Sequence, residues 1–187
     1  MSSMQNYQER KEWHENGQIR IHAFYRDGKR EGECKIWYEN GQLEKQEFYR
    51  DGKREGEYKE WYANGQPWVR SFYRDGKWEG GYKCWYENGQ LYVQSFYRDG
   101  KEEGECKLWY ENGQPKVQVF YRDGKEDGEY KEWHANGQLK AMAFYRDGKL
   151  IDPSFNSEKK CAMLQIKRRL RARVPNAYLI SDLAAMC

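Results

Sequence analysis

Read for its hydrophobic and polar positions, the chain is a series of short aromatic-rich runs separated by polar turn signals, and the pattern recurs every 24 residues. Runs such as Glu33 to Tyr38 and Leu43 to Tyr49 have the length and the Tyr, Trp, Phe and Val content of strands. A Trp precedes each Asn-Gly-Gln by three residues, at Trp13, Trp37, Trp61, Trp85, Trp109 and Trp133. Phe-Tyr-Arg-Asp-Gly-Lys starts at Phe24, Phe48, Phe72, Phe96, Phe120 and Phe144. Asn-Gly and Asp-Gly both suit the two-residue type I′ turn, whose central residues need positive φ. A period in this range signals stacked units. Two strands and two turns per unit predict an antiparallel meander of roughly twelve strands, on the order of 55 Å across.

Neighbouring strand residues point to opposite faces. Trp37 and Tyr38 are neighbours, as are Phe48 and Tyr49, so each face must carry a ladder of rings. With two-residue loops, one face takes Trp37, Phe48, Trp61, Phe72, Trp85, Phe96, Trp109, Phe120 and Trp133, and the tyrosines take the other. Gly32, Gly56, Gly80, Gly104 and Gly128 recur inside strands, where a glycine marks a bulge, a bend or a close approach. The charged run Glu9 to Glu12 falls on the first strand, where charge guards an open edge.

Composition fits a thin structure. Hydrophobic residues make up 38% and charged residues 34%, too polar for a thick aliphatic core, yet 17% are aromatic and regularly spaced. The net charge is +3, but Ser157 to Cys187 alone carries +5, which leaves the preceding 156 residues at −2. The array therefore lacks a nucleic-acid footprint. Five scattered cysteines without CxxC pairing, and no secretory signal ahead of them, suggest reduced thiols and an intracellular, cytoplasmic setting. No apolar stretch is long enough to span a bilayer, and neither a myristoylation site nor a prenylation box is present.

Units such as Gly56 to Gln66, followed by Phe72 to Lys77, resemble MORN repeats, and more narrowly the variant of bacterial antitoxin-type and giant-virus proteins. The resemblance covers Glu9 to Lys149. It implies a twisted single-layer sheet and roles in scaffolding, dimerisation or binding of phospholipid head groups. It brings no catalytic residues.

The residues themselves point the same way. His14 and His134 replace the ring found at Tyr38, Tyr62, Tyr86 and Tyr110, and His22 stands where other units have Gln, Arg or Met. Cys34, Cys84 and Cys106 lack partners at metal-ligand spacing. No catalytic group, metal or cofactor is expected. Lys35, Lys59, Lys83, Lys107 and Lys131 form a row in which all but Lys83 follow a glutamate, Glu33, Glu57, Glu105 or Glu129, at two-residue spacing, which predicts a charge-balanced ladder with cation–π contacts to the tryptophans.

Departures from the consensus stand out. One position reads Arg20, Glu44, Trp68, Tyr92, Lys116, Lys140, and another Arg30, Arg54, Trp78, Glu102, Glu126. Because the counterparts of Trp68 and Tyr92 are charged, their position is expected to be exposed, and with Trp78 these rings either anchor a protein partner or a second copy or lie flat on the sheet and extend its rungs. After Pro153, a stripe of Ala162, Met163, Ile166, Leu170 and Val174 predicts an amphipathic helix, with Lys160, Lys167, Arg168 and Arg171 on its basic side. That helix suits a cap over the last sheet edge, or a contact with an acidic phospholipid surface.

The expected architecture is all-β: an elongated single-layer antiparallel meander of six 24-residue hairpin repeats in residues 9–150, closed by a small C-terminal helical cap in residues 151–187. The expected role is a non-enzymatic scaffold for protein–protein interaction or assembly, a homodimer included. Alternatives are a peripheral binder of acidic phospholipid and an antitoxin-like inhibitor of a partner protein.

Overall fold

The computed structural model describes residues 6–152. Sixteen strand segments form one antiparallel sheet that follows the chain order, and no helix occurs among the described residues. The first strands run Tyr7–Trp13, Ile19–Arg26, Lys29–Trp37 and Leu43–Arg50. In the later units the strand after the Asp-Gly turn is interrupted. Lys77–Trp78 is followed by Gly80–Trp85, for example, and the Glu79 N–H between them donates to the Phe72 carbonyl at 2.8 Å. The helical cap and its basic residues Lys160, Lys167, Arg168 and Arg171 lie outside the described residues.

The two turns of each unit differ. At Asp51-Gly52 both central residues have positive φ, 50° and 81°, and Arg50 pairs with Lys53, as a type I′ turn requires. At Asn40-Gly41 only the glycine does, with φ 81°. There the Gly41 N–H donates to the Tyr38 carbonyl and the Tyr38 N–H to the Gln42 carbonyl, both at 2.9 Å. The Asn-Gly connection is thus a three-residue loop, a type I turn followed by a left-handed glycine, and not the two-residue turn the dipeptide suggests. The Asn40 side chain explains why: its Oδ1 accepts from the Gln42 N–H at 3.0 Å, which favours a conventional turn over positive φ at Asn. The extra residue is absorbed by a bulge where Ile36 pairs with Lys45 and Trp37 with Leu43. The predicted grouping of rings survives, since Phe48 faces Glu33 across the ladder and Glu33 shares its face with Trp37. Gly32 also sits at a bulge, with φ 79° and no atom within 4 Å of an added Cβ, so conformation and not space requires the glycine.

Side chains tie each unit to the next. The Tyr38 hydroxyl donates to the Trp61 carbonyl at 2.7 Å, and Tyr62, Tyr86 and Tyr110 repeat the bond to Trp85, Trp109 and Trp133. His14 does the same through Nε2–H, 2.7 Å from the Trp37 carbonyl, so this histidine replaces a hydroxyl donor as well as a ring. Asn40 Nδ2 donates to the Ala63 carbonyl at 2.8 Å. At the opposite end of the strands, the Glu31, Glu55, Glu79 and Glu103 carboxylates accept the N–H of Asp51, Asp75, Asp99 and Asp123. The consensus polar residues are therefore the mortar of the array.

One face is packed and the other open. The buried side chains Ala23, Cys34, Glu47, Val69, Ser71, Tyr73, Cys84, Ser95, Cys106 and Val119 belong to the tyrosine face. They are mostly small, and tyrosines cover them. On the Trp/Phe face, Phe72, Phe96 and Phe144 remain exposed. Ring-to-ring contacts among the described residues gather on the tyrosine face, as between Tyr58 and Tyr73, centroids 5.5 Å apart, while the Trp/Phe rows are separated by ion-paired rungs. Ser71 Oγ is buried without a hydrogen-bond partner among the described residues. Ser71→Ala, which leaves no unpaired hydroxyl, is expected to raise stability by about 1 kcal/mol. A urea titration checks this, and a lowered midpoint would mean that the hydroxyl has a partner.

Candidate interaction face

The tyrosine face carries the chain's departures from its own consensus. Their positions follow from the two ends of each strand. The row Arg30, Arg54, Trp78, Glu102, Glu126 lies just after the Asp-Gly turns, opposite the tyrosines: Arg54 pairs with Tyr49, Trp78 with Tyr73 and Glu102 with Tyr97. The row Glu44, Trp68, Tyr92, Lys116 lies just after the Asn-Gly turns. There Trp68 tilts against Tyr62 at 5.7 Å, Tyr92 against Tyr86 at 4.9 Å, and Lys116 over the Tyr110 ring at 5.5 Å.

The aromatic trio is thus on one face, but its members differ. Trp68 is exposed, at 41%. Tyr92 is half-buried. Trp78 is also half-buried, within reach of Tyr73, Tyr82 and Tyr97 at centroid distances of 6.1, 5.5 and 4.9 Å. Trp78 therefore extends the packing of the face, whereas Trp68 presents its ring to the outside. The expected exposure holds for Trp68 and not for Tyr92, and Trp78 is sheltered like its charged counterparts, which are themselves half-buried.

In the first half of the array those counterparts surround a buried acid. Glu47, 2% exposed, accepts from Arg54 Nε at 2.8 Å and from the Tyr49 hydroxyl at 2.9 Å, with Arg30 Nη1 at 3.4 Å. Burial works against the Arg54 guanidinium, but the hydrogen bond to Glu47 and its charge outweigh it and hold the group above its ordinary value. Arg54 also lies over the Tyr58 and Tyr73 rings, 5.4 Å from each centroid.

In the second half the same row turns acidic. Glu102 is contacted by the Tyr97 hydroxyl at 3.4 Å, and no salt bridge to Glu102 or Glu126 occurs among the described residues. Burial, reinforced by the charge of Glu126, holds the Glu102 carboxyl above its usual range against that hydrogen bond. The row therefore runs from cations through a tryptophan to unpaired anions.

The opposite face is nearly self-neutralised. Lys35, Lys59, Lys107 and Lys131 meet Glu33, Glu57, Glu105 and Glu129 at 2.6–2.8 Å. The predicted lysine–tryptophan contacts do not form among the described residues. The cation over a tryptophan is Arg70, 5.8 Å from the Trp85 ring. Gly81 stands where other units have the glutamate, so Lys59, Arg70 and Lys83 oppose one another across consecutive strands with a single acid beside them. The column Ala23, Glu47, Ser71, Ser95, Val119 was the overlooked signal for Glu47: a position otherwise small reads as buried.

Strand order and ladder define an open array of hairpin units, each hydrogen-bonded to the next, with one packed and aromatic-lined face. The chain belongs to the MORN repeat family in its variant form: the MORN repeat variant matches six consecutive stretches, residues 9–27, 30–51, 54–75, 78–99, 102–123 and 126–147. No curated protein matches the chain. MORN repeats are associated in general with protein–protein and with membrane or lipid interactions.

Proposed function

We propose that this chain is a non-enzymatic scaffold that binds protein through the middle of its tyrosine face. The observation that carries this is Trp68: an exposed ring on a stiff sheet, replacing a charged residue, with Tyr92 one unit away. Two units are separated by about 10 Å, so both rings can engage one partner. Aromatic anchors held in place by their neighbours lose little side-chain entropy on binding. A cytoplasmic setting accords with the buried free thiols of Cys34, Cys84 and Cys106.

Affinity capture with the full chain, and with a Trp68→Ser, Tyr92→Ser variant, tests this. Both substitutions lie where charged residues serve in other units, so the fold should hold. Recovery of the specific partner, or self-association, is expected to fall at least about tenfold, the scale of losing one anchor. Unchanged capture and unchanged oligomeric state together would sink the proposal.

The charge of +5 beyond Asn156 favours a second reading, a contact of the basic segment around Lys160, Lys167, Arg168 and Arg171 with acidic phospholipid. Flotation with phosphatidylserine vesicles, comparing the full chain with one ending at Lys149, tests it. Equal flotation by both removes that segment from consideration.

A further inference from the structure

The two variant rows have a property that neither shows alone: read backwards, each is the electrostatic complement of itself. Arg30, Arg54, Trp78, Glu102, Glu126 reversed sets anion against cation on both sides of Trp78. Glu44, Trp68, Tyr92, Lys116 reversed sets Lys116 against Glu44 and Tyr92 against Trp68. The two centres coincide. Trp68 is on the strand Pro67–Arg74 and Tyr92 on Leu91–Arg98, while Trp78 is on the strand between them, Lys77–Trp78 continuing as Gly80–Trp85.

We infer that two copies of this chain pack tyrosine face to tyrosine face, about a two-fold axis running along the Trp78–Trp85 strand. A rotation about an axis parallel to the strands reverses strand order and keeps each residue's place along its strand. Row therefore meets the same row, read in the opposite direction. Arg54 faces Glu102 of the second copy, Arg30 faces Glu126, Glu44 faces Lys116 and Trp68 faces Tyr92. Contacts of this isologous kind occur twice in every dimer.

Three observations support the second copy as occupant. First, charge within one copy is unevenly satisfied: Arg30 and Arg54 share the single carboxylate of Glu47 and keep side-chain exposures of 39% and 41%, while Glu102 and Glu126 lack a cation among the described residues. Second, Arg20 and Lys140, the like-charged outer pair of the second row, are each already paired in their own copy, with Glu12 and Glu132. Third, the patch from Arg30 to Glu126 spans four units and covers roughly 40 Å by 20 Å, on the scale of the ~800 Å² per partner that a specific complex buries.

This inference rests on the interaction reading and names its partner. Glu44 and Lys116 provide the test, because they stand three units apart in one chain and cannot meet there. Lysine and glutamate are each native to this row, so both exchanges should fold. Sedimentation equilibrium of the full chain is expected to show a dimer that salt weakens. Glu44→Lys alone and Lys116→Glu alone should each raise the dissociation constant about tenfold or more, since each places like charges together twice. The double exchange should bring it back to within about threefold of the starting value. A chain that stays monomeric throughout the micromolar range, or a dimer that the double exchange does not rescue, overturns this register. Capture of a foreign partner that depends on Trp68 and Tyr92 is read separately, and such capture by a monomer would leave the interaction reading standing.

Discussion

Glu47→Ala is expected to destabilise the array by about 3 kcal/mol, the lower end of the range for removing one partner of a buried ion pair. The lower end applies because Arg30 and Arg54 retain some water, with side-chain exposures of 39% and 41%. The carboxylate is the shared acceptor for Arg54, Arg30 and the Tyr49 hydroxyl, so alanine strands Arg54 and that hydroxyl and leaves Arg30 its 2.7 Å bond to the Tyr49 oxygen. The lesion falls between the second and third units, and an array is only as continuous as its interfaces. Hydrogen exchange should accordingly show protection lost first around Leu43–Trp61. The molecule also contains the remedy. One unit on, Ser71 occupies the place of Glu47 and Trp78 that of Arg54. Glu47→Ser combined with Arg54→Trp copies that arrangement and should recover all but about 1 kcal/mol, since a packed apolar replacement for a buried ion pair is close to neutral. Urea midpoints for the two variants decide the matter, and equal losses would show that the column is not interchangeable between units.

Alkali should undo the fold over the range in which exposed thiols and phenols lose their protons and the buried ones keep theirs. Burial raises the thiols of Cys34, Cys84 and Cys106, the last from 9.0 to about 11. Burial likewise raises the phenols of Tyr82 and Tyr121 from 10.0 to about 12. Below pH 9 both folded and unfolded chains keep these protons, and this source of stability is fully present. Between about 9 and 12 the unfolded chain releases protons that the folded chain retains, so each pH step favours unfolding. Several groups act in the same direction across neighbouring units. The melting temperature is expected to hold from neutrality to about pH 9 and then to fall steeply. Phenolate absorbance should rise together with the loss of ordered structure. Phenols that titrate smoothly around pH 10 in a sheet that stays intact would contradict this.

Much of the fold was legible in the sequence because repetition averages out local ambiguity. Strand order and the division of rings between faces could be read from the six copies, whereas the interruption of the later strands could not. Asp51-Gly52 also behaved as its dipeptide implies. Asn40-Gly41 did not, because a side-chain bond to Gln42 and a second one to the next unit compete with the backbone preference of the dipeptide. Which face is packed was not legible. Both faces show rings at the same spacing, and the outcome depends on small residues such as Ala23 and Cys34 being roofed by tyrosines of adjacent strands. The departures from consensus were legible in the sequence, but their exposure was not. Whether Trp78 lies outside or in the packing could not be read from its charged counterparts, because Arg54 is itself partly sheltered by Glu47 and by stacking on Tyr58 and Tyr73.

The tyrosine-to-carbonyl bonds run in one direction only, from each unit to its successor, and at nearly constant length, 2.7 to 2.9 Å. Every internal unit presents the same socket behind and the same plug ahead. Gain or loss of a whole 24-residue block at the level of the gene would therefore leave this bond intact at each surviving joint. Only reach would change, by about 10 Å per block. Such a chain is a ruler graduated in fixed steps, able to evolve in length without refitting a core.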